Sequence, residues 1–254
     1  VTHMSASIDG SAIDKVLRNA VDSGGVPHVA AIAADRDGVI YQGAAGPRAV
    51  GESDPVTVDT QFRIMSMTKM PCTVAALQQV EQGNLDLDAP VADYCPEFAE
   101  IQVLTGFDGD TPVLRPPARQ ATVKNLVTHT SGLGYWFWSE DLVKWESVTG
   151  IPNVVAGSAA SFKAPMVGDP GEAFIYGINI DWLGKVLEAV TGVGLDVAIK
   201  QGITGPLGMD RTTFLMNDEQ RPNSTPVHVK AEDGTWTAIG EVLNQAPDYW
   251  AGGH

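Results

Sequence analysis

The chain has 254 residues, of which 31 are acidic and 16 are basic, so its formal net charge is -15. This excess of negative charge argues against nucleic acid or an anionic membrane surface as the main partner. No apolar run reaches the ~18 residues of a membrane-spanning helix, and the apolar fraction of 44% is typical of a globular protein.

The beginning of the chain lacks the features of a secretory signal. Residues 1–5 contain no positive region leading into an apolar core, so we expect a cytoplasmic location. Two cysteines, Cys72 and Cys95, do not suggest a disulfide framework in a chain of this length, and we expect both thiols to be reduced.

The first predicted elements are a helix and a hairpin. Residues 8–23 carry apolar side chains at helical spacing and stop at Gly24. The apolar run over residues 29–34 predicts a buried strand, and residues 39–43 predict the returning strand. Residues 35–38 between them have the composition of a hairpin turn.

The next helix is predicted from about Ser66 to Gly83, after a short extended segment over residues 60–64. Pro71 falls in the first turns of this helix, where a missing backbone N–H is tolerated. That placement puts Ser66 at the start of the helix.

The middle of the chain, residues 84–170, reads as mainly helical or irregular. Residues 122–128 and 141–147 predict short helices, and the glycines and prolines of residues 104–118 indicate a loop or a small hairpin. Between the two helices lies an aromatic run of four residues. Such a run packs into a core or an interface in most proteins, but it also suits the apolar wall of a ligand pocket.

The last third of the chain predicts two helices, an extended segment and a hairpin. The helices span residues 180–191 and 195–203, the extended segment residues 212–215 and the hairpin residues 227–237. We therefore divide the chain into residues 1–83 with the helix after Ser66, residues 84–170 as an inserted region, and residues 171–254.

Ser66 and Lys69 form the clearest chemical pattern. Positions three apart on a helix share one face, so the lysine amine is expected beside the serine hydroxyl. A serine attacks carbonyl carbons efficiently only when a neighbouring base takes its proton, and a helix start favours developing negative charge. The same spacing occurs by chance in many helices whose lysine is merely solvated, so the pair alone is weak evidence.

Several stretches together resemble one family of serine enzymes. Residues 62–70, Phe-Arg-Ile-Met-Ser-Met-Thr-Lys-Met, resemble the first motif of the penicillin-recognising fold. Residues 126–133, 170–184 and 205–210 resemble three later segments in the same order, the second of them carrying a tyrosine shortly after Pro-Gly. The chain resembles the class C beta-lactamase-like superfamily, and most closely its family VIII carboxylesterase branch.

The resemblance implies a fold and a set of roles. It implies an α/β fold, in the α+β sense, with an antiparallel sheet flanked by helices and a mostly helical region. Ser66 would form the acyl-enzyme, Lys69 would take or relay its proton, and Tyr176 would share the base role and protonate the leaving group. The backbone N–H of Ser66 would contribute to the oxyanion site. A tyrosine beside a lysine ammonium is easier to ionise, which makes this set chemically reasonable.

Two departures from the family pattern carry consequences. The family's second motif is Tyr-x-Asn, whereas here Ile178 holds the amide position and Asn179 follows it. We expect that shift to favour ester over lactam hydrolysis, with Asn179 as a possible substrate contact. The third motif of the family lies on a central strand beyond the position of His254, so we expect the C-terminal strands and the second oxyanion N–H to lie outside this sequence.

We predict a serine carboxylesterase that hydrolyses short-chain esters without a metal or organic cofactor. The expected partner is a small-molecule ester, with no nucleic acid and no membrane. The lower-ranked substrate contacts are Asn179 and the aromatic run of Tyr135, Trp136, Phe137 and Trp138. The alternatives are a beta-lactamase or D-alanyl-peptide hydrolase, an acyltransferase, and a catalytically silent binding protein. His129 is predicted to cap a helix end, and Cys72 is predicted to pack rather than react.

Overall fold

The computed structural model describes residues 9–240 and 243–253. These residues fall into two compact units. One unit takes in the described residues up to Arg63 together with those from Met216 to 240, and the other takes in Ile64–Leu215 together with residues from Leu243 to 253. The division predicted at residues 83 and 170 stays a prediction; the contacts of the chain group the helix after Ser66 with the residues that follow it.

Among its described residues, the first unit contains one α-helix, two hairpins and a short 3₁₀ helix over Arg221–Asn223. Helix α1 spans Gly10–Asp22, strands β1 and β2 span Val29–Asp35 and Gly38–Ala45, and two later strands span Val227–Lys230 and Trp236–Ile239. The Tyr41 hydroxyl of β2 donates to Asp14 of α1 at 2.8 Å. The described strands form three separate two-stranded antiparallel sheets, of which this unit holds two.

The second unit packs around two helices. Helix α2 spans Lys69–Glu81 and turns the small side chains of Cys72, Ala75 and Ala76 inward. Helix α5 spans Asn179–Thr191. Most of the first two turns of α5 is buried, and each large apolar side chain removed from water stabilises the fold by about 2 kcal/mol; the fully buried ones are Ile180, Trp182, Leu183, Val186 and Leu187.

Shorter elements connect these helices. Strands β3 and β4 span Val103–Asp108 and Thr111–Arg115, helix α3 spans Val123–Val127 and helix α4 spans Glu140–Thr149. Helix α6 spans Leu195–Ile199 and continues into a single π-helical turn over Lys200–Thr204. The two strands after Met216 are β5 and β6 in chain order. None of the helices in the described part of the chain is both long and apolar enough to cross a bilayer.

The predicted elements lie where the sequence places them, but the burial predicted for residues 29–34 is wrong. Strand β1 has no fully buried residue and Ile32 is 59% exposed, because β1 pairs only with β2 among the described strands and is not enclosed in a larger sheet. At residues 212–215, where an extended segment is predicted, the structure has no strand; the backbone is irregular, with bends at Phe214 and Leu215. The Thr213 hydroxyl accepts from the Leu215 N–H at 3.3 Å and donates to the Leu215 carbonyl at 3.0 Å. A threonine side chain that bonds the neighbouring backbone in this way competes with strand pairing.

Candidate active site

Ser66 lies in a single 3₁₀ turn, Met65–Thr68, that runs directly into α2. The residue before it, Met65, has φ of 46°, which is in the left-handed region that non-glycine residues avoid. Strained residues of this kind persist where the surrounding structure holds them, and they cluster at functional sites. The Ser66 side chain is exposed, so a substrate can approach it from solvent.

Lys69 is half-buried and its amine faces Ser66. The distance from Lys69 Nζ to Ser66 Oγ is 3.1 Å, within hydrogen-bonding range. The helical spacing predicted this neighbourhood, and the structure brings the two groups together.

A backbone ladder positions Tyr176 opposite this pair. The N–H groups of Val167, Gly171 and Ile175 donate to the carbonyls of Gly132, Thr130 and His129 at 2.7–2.8 Å. The segment after the Pro-Gly pair is thereby held in register with the loop over residues 129–132. At the end of this ladder, a Cβ on Gly177 would overlap the backbone of Leu133 and Gly134, so only glycine fits there.

Tyr176 contacts both members of the serine–lysine pair. Lys69 Nζ lies 4.7 Å from the centroid of its ring. Burial raises the pKa of the Tyr176 hydroxyl, but hydrogen bonds with Lys69 and Ser66 and the lysine charge outweigh that effect, so the pKa is lowered overall. The three residues predicted to be catalytic therefore meet in one place.

Tyr135 and Asp181 also reach this place; the sequence predicts Tyr135 only as a substrate contact and does not single out Asp181. The Tyr135 hydroxyl lies 3.1 Å from Lys69 Nζ and 3.5 Å from the Asp181 carboxylate. The Asp181 side chain is buried at 1% exposure and accepts the Gly253 N–H at 3.1 Å. Burial raises the pKa of the Tyr135 hydroxyl, and the Asp181 charge raises it further, so this tyrosine is held protonated.

His129 supports the loop and does not contact Ser66 Oγ in any described hydrogen bond. Its backbone has φ of 54°, and its Nδ1 accepts from the Gly177 N–H at 3.4 Å. Its ring packs 4.9 Å from the ring of Tyr176. Burial, followed by the charge of Lys69, lowers the pKa of the imidazole to about 4, so it is neutral at physiological pH.

Asn179 is the first residue of α5 and is fully buried. Its amide bonds the Ser131 hydroxyl, the His129 ring and the Leu133 carbonyl. Among the hydrogen bonds of the described residues, none joins this amide to Ser66 or Lys69. A substrate contact through Asn179 stays a prediction, and it would require these bonds to break.

The four residues of the aromatic run have different surroundings, and Phe137 is 52% exposed. A cavity of about 280 Å³ lies beside Tyr176, and its wall includes Tyr135, Trp138, Val167, Phe174 and Ile175. Phe137 stacks on Tyr135 with ring centroids 4.9 Å apart, and Trp136 packs against the core. Roles for these four aromatic residues in substrate binding stay predictions.

Comparison with known proteins fits this geometry. A family model described as Beta-lactamase matches residues 13–253. The chain belongs to the Beta-lactamase family. The superfamily resemblance and the mixed α/β fold with antiparallel pairing are thereby confirmed; the narrower likeness to family VIII carboxylesterases stays a prediction.

One relative of this Beta-lactamase family chain is a lovastatin esterase of Penicillium rubens, which is 36% identical over 208 residues. The match covers 80% of the chain and 52% of that protein. A monacolin J acid methylbutanoyltransferase of Aspergillus terreus is 35% identical over 219 residues, covering 83% of the chain and 52% of the relative. The chain thus spans about half the length of the curated relatives it matches.

A solved structure has the same fold as this Beta-lactamase family chain. It is the LovD6 mutant of simvastatin synthase from Aspergillus terreus, which aligns with a TM-score of 0.85 and 31% identity. The alignment covers 98% of the chain and 64% of that structure.

Cys72 and Cys95 are both buried, and neither forms a disulfide. Burial raises the pKa of the Cys95 thiol to about 11, and it also raises the pKa of Cys72 strongly. Since the thiolate is the reactive form, burial keeps both side chains inert. Among residues 9–240 and 243–253, no three histidine, cysteine or acidic side chains cluster as metal ligands would.

Proposed function

We propose that the chain carries the acylation site of a serine-dependent acyl-transfer enzyme acting on small-molecule carboxylic esters. The observation that carries the proposal is the 3.1 Å approach of Lys69 Nζ to Ser66 Oγ, with the ring of Tyr176 centred 4.7 Å from the same nitrogen. A nucleophile with a base within hydrogen-bonding reach is the arrangement that acyl transfer requires.

The reaction would proceed through two transfers. Ser66 Oγ attacks the carbonyl carbon of the ester while its proton passes to Lys69 or Tyr176. The bond between that carbon and the alcohol oxygen breaks, and the departing oxygen takes the proton. An acceptor alcohol or water then attacks the acyl-enzyme, gives its proton to the same pair, and releases Ser66 Oγ, which recovers a proton. No step requires a cofactor.

Transfer to an alcohol is the favoured outcome, and this revises the preference for hydrolysis that the sequence alone suggested. One relative at 36% identity is named as an esterase, and three at 34–35% identity are named as an acyltransferase or a methylbutanoyltransferase. The chemistry of acylation is the same in both cases. The two reactions differ in whether an organic acceptor outcompetes water for the acyl-enzyme.

The surroundings of the site suit an apolar acyl or alcohol group. The cavity beside Tyr176 has a wall of aromatic and aliphatic side chains, including Trp138, Phe174 and Ile175. Trp138 and Phe174 are 75% and 68% exposed, so they offer a contact surface at low ordering cost. The backbone N–H of Ser66 is the proposed oxyanion donor, an effect worth about 3 kcal/mol per donor.

Product analysis separates the candidate reactions. An aryl ester is supplied with and without a competing alcohol, and the released acid and the new ester are both quantified. We expect the new ester to form in preference to the acid. If the carboxylic acid is the only product at every alcohol concentration, the result would instead support an esterase. A chromogenic cephalosporin turned over faster than the aryl ester would support the beta-lactamase alternative, and a D-alanyl peptide probes the peptidase alternative in the same way.

Substitutions test the assigned roles. Ser66→Ala should abolish ester turnover, and Lys69→Ala and Tyr176→Phe should each lower kcat by about 10²–10⁴-fold, the usual contribution of a general acid or base. Thermal midpoints measured beside the rates serve as the control, since lost activity that follows lost structure would not support the roles. Unchanged turnover in Ser66→Ala would mean that Ser66 is not the nucleophile, and no ester turnover by the parent protein would support the catalytically silent binding protein.

A further inference from the structure

Lys69 makes two polar contacts beyond Ser66. The Tyr135 hydroxyl lies 3.1 Å from Nζ, and the Gly253 carbonyl also accepts from Nζ. Together with Ser66 Oγ, these are the three oxygens to which Nζ donates among the described hydrogen bonds, and a lysine ammonium carries three protons.

Asp181 closes these contacts into a ring. Its Oδ2 accepts from the Tyr135 hydroxyl at 3.5 Å, a long bond, and its Oδ1 accepts from the Gly253 N–H at 3.1 Å. The ring thus runs from Lys69 to Tyr135, to Asp181, to Gly253 and back to Lys69. The carboxylate is buried, and a buried polar network of this kind fixes the direction of each bond in it.

The direction of each bond decides where the free electron pair of Lys69 points. A carbonyl oxygen can only accept, so the contact with Gly253 takes one N–H of the amine. Because the Tyr135 hydroxyl donates its only proton to Asp181, its oxygen can only accept from Lys69, and it takes a second N–H. A neutral amine has two N–H groups, so its lone pair is left for the remaining neighbour, Ser66 Oγ.

We infer that Tyr135 and Asp181 are positioning residues that aim the lone pair of Lys69 at the Ser66 hydroxyl. The inference rests on the proposed function, because it concerns the step in which Lys69 takes the serine proton. Tyr135 acts through Lys69, and Asp181 acts through Tyr135 and Gly253. Without them the amine could turn a proton toward Ser66 and could no longer accept one.

Two substitutions remove the bonds and leave the shape of the side chains. Tyr135→Phe keeps the ring that stacks on Phe137 and lines the cavity, but removes the hydroxyl. Asp181→Asn keeps the volume of the buried side chain but removes the charge and one acceptor. Tyr94→Phe is the matched control, because its hydroxyl accepts the Asp86 N–H at 3.0 Å and bonds neither Lys69 nor Ser66.

The test measures acylation of Ser66 by an aryl ester in single-turnover kinetics, together with KM and the thermal midpoint. We expect Tyr135→Phe and Asp181→Asn to lower the acylation rate constant about 10- to 100-fold, the scale of a misplaced catalytic group. KM should stay within about twofold, because the cavity wall is unchanged. The acylation rate constant of the double variant should fall about as far as that of Tyr135→Phe alone, because both substitutions disturb the same orientation of the Lys69 amine. Tyr94→Phe should match the parent.

Two outcomes would overturn the inference in distinguishable ways. If the parent protein acylates Ser66 and both variants do so at the parent rate, Tyr135 and Asp181 do not position Lys69, and the proposed function stands. If the parent protein never acylates Ser66, the proposed function fails and the inference fails with it. Should Tyr135→Phe unfold, Asp181→Asn decides the question on the same readout.

Discussion

At the scale of single residues, Tyr176 gives the most direct test of the site's electrostatics. Burial acts to raise the pKa of its hydroxyl, and hydrogen bonds with Lys69 and Ser66 act to lower it, with the lowering effect prevailing. A phenol with a lowered pKa supplies its anion, and hence a base, at a lower pH than an ordinary tyrosine does. The acylation rate should therefore rise with pH as this group ionises.

A titration of tyrosinate absorbance, compared between the parent protein and Tyr176→Phe, isolates this one hydroxyl. We expect the difference signal to titrate below the ordinary tyrosine pKa of about 10. In Lys69→Ala the titration should move to higher pH, because the lowering hydrogen bond and charge are gone. Titration at or above the ordinary value in the parent protein would contradict the assigned contacts.

Residue-level reasoning from sequence found Ser66, Lys69 and Tyr176, proposed Tyr135 only as a substrate contact, and missed Asp181. The proximity of Ser66 and Lys69 could be predicted because residues three positions apart on a helix lie on the same face. Tyr135 and Lys69 are 66 positions apart, and only the fold brings them together. Asp181 reads as an ordinary acidic residue in the first turn of α5, where the helix dipole favours it, so nothing local marked it as part of the site.

At the scale of elements, the close approach at Gly177 holds Tyr176 in place. A methyl group there would collide with the backbone of Leu133 and Gly134, and backbone cannot move aside as a flexible side chain would. Overpacking of this kind costs typically 1–3 kcal/mol. To relieve the collision, the backbone at position 177 would have to shift, and this shift would move the neighbouring Tyr176 away from Lys69.

We therefore expect Gly177→Ala to lower the free energy of unfolding by about 1–3 kcal/mol and to reduce ester turnover more than the stability loss explains. Chemical denaturation and kinetics on the same preparation measure both effects. Gly240→Ala is the control, because a methyl group there meets no atom within 4 Å. A Gly177→Ala protein with the parent's stability and rate would show that this contact does not fix Tyr176.

Sequence patterns predict the positions of helices and strands better than they predict which strands pair. The turn over residues 35–38 and the apolar run before it predict the β1–β2 hairpin, whose pairing runs from Val29 with Ala45 to Asp35 with Gly38. Residues 212–215 also contain β-branched side chains but pair with no strand among the described residues, and Thr213 bonds the nearby backbone of Leu215 instead. Strand formation depends on a partner that local sequence does not contain.

At the scale of the whole molecule, the stability of the fold should depend on pH through His129. Burial, with the charge of Lys69, lowers its pKa in the folded state from 6.5 to about 4. The unfolded chain therefore binds a proton more readily than the folded chain between these values. The contribution of His129 to the free energy of unfolding is fully present above about pH 6.5. It is lost as the pH falls toward 4, and the loss reaches about 3 kcal/mol.

Replacing this histidine by asparagine should remove that dependence. Asparagine tolerates the left-handed backbone conformation found at this position, and its side-chain oxygen can accept the Gly177 N–H in place of Nδ1. We expect urea unfolding of His129→Asn to show a flatter pH profile between 6.5 and 4 than the parent shows. Parallel profiles for the two proteins would mean that another group governs the acid sensitivity.

The central claim is that Ser66 becomes acylated, and the mass of the intact protein after brief exposure to an aryl ester tests it most directly. We predict that the parent protein gains the mass of one acyl group, that peptide mapping locates this group on Ser66, and that Ser66→Ala gains nothing. An equal gain in Ser66→Ala, or an acyl group mapped to another residue, would contradict the account.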